Sequence, residues 1–220
     1  MDITIFKDIK QTARPFYRNI NLILTRIQEG ASKDIVKKIR AEKDKENRNI
    51  LKQKLPAICF SGQFTKRADN AIKEHSGYIC LDFDGYKSNR DLLQEKERLS
   101  KDKFVYSVFI SPSGNGLKVL VKIPPIVDDH KSYFLSLQKY YDSEYFDKTC
   151  KNISRVCYES YDPLIHVNAH SSLWDKIEEQ EYVEVSKHND IPTIPVTDEN
   201  KIIDILIKWW TKKYPMNEGE

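Results

Sequence analysis

Asp82 and Asp84 stand two residues apart at the end of an apolar run, Gly77-Tyr-Ile-Cys-Leu-Asp-Phe-Asp84-Gly85. On a strand, positions i and i+2 share a face, so the two carboxylates would project side by side. Like charges held close repel, and one stays protonated unless a cation lies between them. A divalent ion resolves that conflict, and Mg²⁺ or Mn²⁺ suits carboxylates, water and phosphate oxygens. The same Asp-x-Asp-Gly is also an ordinary strand exit into a turn; its place after a fully apolar strand favours chemistry. A third carboxylate would complete a two-metal site. Asp147 follows Tyr145-Phe146, a short apolar lead comparable to the one before Asp82. Asp162, between Tyr161 and Pro163, reads more readily as a turn cap and is the lesser alternative.

The second group is Ser111-Pro112-Ser113-Gly114-Asn115-Gly116-Leu117-Lys118. Backbone N–H groups around glycines cradle phosphate oxygens, and Lys118 adds a point charge. It is not a Walker loop, because the GxxxxGK[ST] spacing is absent and a strand follows rather than a helix. The plain alternative is a hairpin turn with a solvent-facing lysine. Arg155, just before the apolar stretch Val156–Tyr158, is a second cation, able to fork onto a phosphate or to serve as a structural ion-pair partner. A third feature is residues 33–54, where nine Lys and Arg face Asp34, Glu42, Asp44 and Glu46, a net +5. Such a run is usually a solvated helix face; otherwise, with Lys54 and Arg67, it is a surface for a nucleic-acid backbone.

The elements that must position these residues follow from periodicity. Residues 3–6 read as a strand. Residues 19–28 read as a helix with Ile20, Ile23, Leu24 and Ile27 on one face, closed by Gly30. One long helix is expected over 33–54, capped by Ser32 and ended before Pro56. A strand at 57–60, a loop at 61–67 and a short helix at 68–74 precede the buried strand that ends in Asp82 and Asp84. A helix capped by Ser88 or Asn89 runs to about 99. Strands at 104–110 and 117–123 flank the glycine loop as a hairpin, and Asp128 or Asp129 opens a helix to about 141. Short strands at 156–158 and 165–167 follow. Residues 186–199 are Pro-rich and polar and read as a linker, and a last helix over about 198–213 carries Ile202, Ile203, Leu206, Ile207, Trp209 and Trp210, an apolar surface that needs a partner. The family resemblance given below implies that 1–185 are the catalytic domain and that 200–220 begin a C-terminal helical region, the chain then being a fragment. Interspersed helices with hairpin-linked central strands predict an α+β fold with an antiparallel or mixed sheet.

Composition narrows the function classes. The chain has 220 residues, 40% apolar and 31% charged, with a net charge of +3. That is long enough for an ordinary core without disulfides. No apolar run approaches 18 residues, so no membrane span is expected, and the N-terminus does not resemble a secretory signal. Cys59, Cys80, Cys150 and Cys157 form no CxxC pair; buried thiols in a reducing cytoplasm are the expectation. Neither GxSxG nor HExxH occurs, and the histidines read as structural or surface residues.

In order along the chain, Asp82-Phe-Asp84, Ser111-Pro-Ser-Gly-Asn-Gly-Leu-Lys118, Asp147 and Asn152-Ile-Ser-Arg155-Val-Cys-Tyr-Glu-Ser-Tyr-Asp-Pro163 resemble the motifs of the archaeo-eukaryotic primase superfamily. Within it the chain is most similar to the primase-like N-terminal domain of VirE-type proteins of Bacteroidetes and their phages or mobile elements. The segment from Lys54 to Arg67 and His75-Ser-Gly77 fit that subgroup. The resemblance implies an RRM-like catalytic half with a smaller α/β N-terminal half, and template-directed nucleotidyl transfer. Asp82, Asp84 and Asp147 match metal ligands for Mg²⁺ or Mn²⁺. Ser111, Ser113, Gly114, Gly116 and Lys118 match the nucleotide-binding motif, and Arg155 matches a basic position near the triphosphate. Many superfamily members carry His where this chain has Lys118. The implied partners are nucleoside triphosphates, a single-stranded DNA template and a replicative helicase, fused or separate, in the cytoplasm of a bacterial host. The alternative is a catalytically weak or inactive primase-like module that binds single-stranded or origin DNA; a nuclease or nicking initiator on the same acidic cluster is a weaker reading.

Overall fold

A computed structural model describes residues 1–177 and, further along, 203, 206–208 and 210. The first sheet is built from β1 (Asp2–Phe6), β2 (Phe16–Asn19), β3 (Ala57–Cys59) and β9 (Cys157–Tyr158), in the order β2-β1-β3-β9. The second holds β6 (Tyr78–Asp84), β7 (Val105–Ile110), β8 (Gly116–Lys122) and β10 (His166–Val167), in the order β10-β7-β8-β6. A two-stranded ribbon pairs β4 (Gly62–Phe64) with β5 (Ile72–His75). Every pairing is antiparallel. The helices are α1 (Ile20–Glu29), α2 (Lys33–Ala41), α3 (Lys45–Lys52), α4 (Asn89–Ser100) and α5 (His130–Tyr141), with a 3-10 turn at Asp69–Ala71. The fold is therefore α+β with antiparallel sheets.

The second sheet is buried on both faces, which is why β6 reads as an unbroken apolar run. Ile79, Leu81 and Phe83 on β6, with Leu117, Val119 and Val121 on β8, pack against α4 and α5 through Leu92, Leu99, Phe134 and Leu137. The alternate positions Tyr78, Cys80, Leu120 and Phe109 face the other way. They pack with Ile3 and Ile58 of the first sheet and with the apolar stripe of α1. Each fully buried phenylalanine or leucine in these layers stabilises by roughly 1.5–3 kcal/mol. Asp82 and Lys118 occupy positions on this second, inter-sheet face, so period 2 alone places charge where the strand's register continues an apolar interior.

Two local expectations are corrected. The single helix over 33–54 is two helices. Glu42 leaves α2 in an extended conformation, and the Asp44 carboxylate accepts the Asn47 N–H at 2.8 Å, capping α3. Ser32 precedes α2, but its hydroxyl bonds the Glu159 carboxylate instead of capping the helix. The expected loop at 61–67 holds β4, and the expected helix at 68–74 is the 3-10 turn followed by β5. Strand pairing overrides local propensity there: the Phe64 N–H bonds Thr4 Oγ1 at 2.8 Å, and a Cβ at Gly62 would collide with the Glu74 carbonyl. The linker expected at 186–199 lies outside the described residues; positions 203, 206–208 and 210 of the expected C-terminal helix are helical. Among the described residues no helix is long and apolar enough to cross a membrane.

Candidate metal and phosphate site

Asp82 is brought to its partners by two flanking strands. On one side it pairs in register with Lys118 of β8. On the other, a single antiparallel bridge joins Phe83 to Phe146. Two backbone bonds frame that bridge, Asp147 N–H to the Asp82 carbonyl and Asp84 N–H to the Tyr145 carbonyl, both 2.8 Å. The bridge puts Asp147 directly across from Asp82, so their side chains share a face. Lys118, Asp82 and Asp147 thus form a row across three adjacent segments. Phe146 is anchored among Phe83 and Phe134 in the core beneath, which fixes where Asp147 emerges.

Ligand atoms of Asp82, Asp147 and Cys150 all lie within 4.8 Å of one another. One Asp82 oxygen, Oδ1, is buried with no hydrogen-bond partner, and the other, Oδ2, is in an ion pair with the Lys118 ammonium. Asp147 is held from below: its Oδ1 accepts from Thr149 N (2.9 Å) and Thr149 Oγ1 (2.7 Å), and its Oδ2 accepts from the Cys150 thiol at 2.9 Å. Arg155 Nη2 is 3.7 Å from that same Oδ2. Cys80, Cys150, Cys157, Arg155 and Val156 close over Asp82 and Lys118, leaving a void of only about 10 Å³.

The electrostatics follow from burial and these neighbours. Burial raises the Asp82 carboxyl above the ordinary range, with Asp84 and Asp147 adding to the rise and Lys118 opposing it. Burial also works against the Lys118 ammonium, but attraction to Asp82, then Cys157 and Asp84, outweighs it, so Lys118 is raised and stays charged. Burial likewise opposes charge on Asp147, yet the bonds from Cys150 and Thr149 hold its carboxyl below the usual range. The Cys150 thiol is pushed up to about 12, first by burial and then by its bond to Asp147, so it is a donor at neutral pH. A buried carboxylate with one orphaned oxygen, beside a second carboxylate, is a donor set that fits a divalent cation. Lys118 and Arg155 already stand against this acidic pair, so a divalent ion would share its neutralisation with them.

The other residues singled out in the sequence fall around this row. Asp84 is exposed and lies outside the group of three; its side chain packs over Gly116, where a Cβ would collide with Asp84 Oδ1 and lie 2.8 Å from the Phe83 carbonyl. Asp162 is not near Asp82 in that group. Its buried carboxylate takes Lys96 Nζ at 2.6 Å and the N–H groups of Ile110 and Leu164, a structural ion pair. In the glycine loop two N–H groups are engaged internally, Ser111 to the Gly116 carbonyl and Gly114 to the Ser111 carbonyl. Gly114 has φ +80°, and its Cα faces the Arg40 side chain. Arg40 of α2 bonds the Ser111 carbonyl at 3.1 Å and the Tyr161 carbonyl at 2.8 Å. The Ser111 hydroxyl is buried without a partner, and Ser113 is partly buried at the tip. Lys54 is exposed just after α3. Arg67, held by the Ile9 carbonyl at 2.9 Å, shares a cavity of about 360 Å³ with Arg155, Asn152 and Tyr158.

Cys150 and Lys52 were not singled out in the sequence. Cys150 joins because the Asp147 turn folds its thiol back three residues. Lys52, half-buried at the end of α3, feels the charges of Asp84, Lys118 and Asp82; burial, its largest influence, lowers its pKa. In sequence it is one of nine cations in a run, with nothing to separate it from the rest.

Residues 50–166 match the family described as BT4734-like, N-terminal domain, and the chain belongs to that family. No curated protein and no solved structure matches the chain.

Proposed function

We propose that this chain is the catalytic domain of a metal-dependent primase-polymerase, carrying out template-directed nucleotidyl transfer on single-stranded DNA. The observation that carries the reading is the pairing of Asp82 with Asp147 across the Phe83–Phe146 bridge, with a buried Asp82 oxygen left open. The chain order supports it: β6-α4-β7-β8-α5 and the bridge at 146 give a β-α-β-β-α unit whose last segment returns beside its first strand, as an RRM-like catalytic half requires. In this reading the first sheet with α1 is the smaller N-terminal half.

Asp82 and Asp147 would hold Mg²⁺ or Mn²⁺, with Asp84 at the strand exit. When bound, the ion would supply neutralisation of the triphosphate and a lower pKa for the attacking 3′-hydroxyl. Lys118, released from Asp82, would contact the incoming phosphates as a point charge, and Arg155 would fork onto the same group. The Ser111–Gly116 hairpin, fixed by Arg40, would border the nucleotide. The compartment proposed is the cytoplasm of a bacterial host, with a helicase as partner in replication.

One observation favours a second reading. The Lys118 ammonium already answers the Asp82 charge, and an acidic site neutralised by lysine suits a primase-like module that binds DNA without polymerising. Extension of a primer on single-stranded DNA with Mn²⁺ separates the two. Wild-type extension abolished by Asp82→Ala/Asp84→Ala supports the enzyme; equal extension by the double variant excludes this site, and salt-dependent DNA binding with no extension points to the module.

A further inference from the structure

We infer that the cleft between β2 and α1 is a binding surface for single-stranded nucleic acid, seating a base on Phe16 and backbone phosphates on Lys7, Arg18 and Arg26. The cleft has a volume of about 410 Å³, within the roughly 300–1,000 Å³ of ordinary ligand sites. Its floor is apolar, from Ile5, Leu22 and Ile23 among others, and no carboxylate lines it.

Register explains the arrangement. Phe16 and Arg18 are two apart on β2, so they share the face that Ile3 and Ile5 present to α1. β2 is the edge strand of its sheet, and Phe16 and Arg18 are exposed on that face. Leu22 and Arg26 are four apart on α1 and line the opposite wall. Phe16 is 51% exposed, and the Arg18 guanidinium carbon lies 6.0 Å from the centroid of its ring. Arg26 is fixed in place by the buried Glu159 carboxylate, at 2.8 and 3.1 Å, which answers its charge in part; Lys7 and Arg18 are exposed at the rim and pair with no carboxylate among the described residues.

An exposed aromatic platform rimmed by cations is what a flexible polyanion with flat bases requires: stacking tolerates any base, and the cations track the backbone. An acidic peptide would match the charges but leaves the Phe16 face without a stacking partner. The inference rests on the reading of the protein as one that works on single-stranded DNA, but it needs neither metal nor polymerisation.

The test is fluorescence anisotropy of a labelled 15-mer oligothymidylate with the whole chain, without metal or nucleotide, at several salt concentrations. Phe16→Ala weakens binding about tenfold, the lower part of what one stacked base contributes. Arg18→Glu weakens it further and lowers the log–log salt slope by about 0.7, one phosphate contact on a single strand. Lys101→Glu just after α4, with the same charge change, leaves affinity unaltered. Photocrosslinking of a bromodeoxyuridine oligomer should label the peptide containing Phe16, a readout that needs no variant to fold. Wild-type-like affinity of Phe16→Ala and Arg18→Glu overturns the assignment while leaving DNA binding elsewhere intact. Absence of any oligonucleotide binding overturns both it and the proposed function. Displacement of the oligomer by a 15-residue polyglutamate at equal concentration makes the cleft a peptide site and overturns it as well.

Discussion

At the scale of single residues, the informative pair is Lys118 and Asp82. Each side chain is 13% exposed, so removing one partner strands the other away from water. Lys118→Met is expected to destabilise the metal-free protein by about 3–5 kcal/mol, the usual cost of breaking a buried pair from one side, measured by urea denaturation. Because Asp82 is then uncompensated, Mn²⁺ should restore more stability to Lys118→Met than it adds to wild type; an equal response in both would remove Asp82 from the cation site. A second residue-scale pair sets acid stability. His75 Nε2 and His130 Nδ1 are 3.0 Å apart and buried, and the Gly77 N–H bonds His75 Nδ1 at 2.9 Å. Burial lowers His75 to about 4 and His130 to about 3, the latter with help from His75 and against Asp69. Above about pH 6.5, the ordinary value, both are neutral folded and unfolded, and neither affects stability. As pH falls below that, the unfolded chain takes up protons that the native one refuses. Stability therefore drops between about pH 6.5 and 4, by on the order of 3 kcal/mol from His75 alone. His75→Gln/His130→Gln should flatten that part of the pH profile in denaturation experiments.

At the scale of elements, the β6–β8 pairing depends on a missing side chain. Gly116→Ala would drive a Cβ into Asp84 and the Phe83 carbonyl. We expect a loss of about 1–3 kcal/mol, as for other overpacked contacts, read as a lower Tm, and a parallel change at the end of β6 where Asp82 and Asp84 leave the sheet. The elements around this point were legible in the sequence because their signals are local. The apolar run before Asp82, the Gly-rich hairpin between β7 and β8, the Ser88 cap of α4 and the four-residue stripe of α1 each follow from spacing alone. The elements that were misread depend on distant partners. β4 and β5 exist because two segments that look like loop and helix pair with each other, and because Thr4 of β1 accepts the Phe64 N–H. The break between α2 and α3 was signalled only by Asp44, one acid among many lysines. The site divides in the same way. The i, i+2 carboxylates and the apolar lead of Asp147 could be read directly, but the Lys118 ion pair arises from the β6–β8 register, and the Cys150 thiol and Lys52 reach the site through a turn and through the placement of α3, which their own spacing does not signal.

At the scale of the whole molecule, a net charge of +3 is divided by the fold. The inter-sheet face carries an acidic pair countered by Lys118 and Arg155, while α2 and α3 bring positive charge to its border through Arg40 at the glycine loop and Lys52 near Asp84. Raising salt should weaken the binding of single-stranded DNA steeply, and barely alter the stability of the buried Lys96–Asp162 pair, which is shielded from solvent ions. The most direct test of the account is incorporation of labelled nucleotide on a primed single-stranded template with Mn²⁺, comparing wild type with Asp147→Asn. Wild type should incorporate nucleotide in a template-dependent way and Asp147→Asn at least a hundredfold less, about 2.7 kcal/mol in activation free energy. Incorporation by Asp147→Asn at the wild-type rate would contradict it.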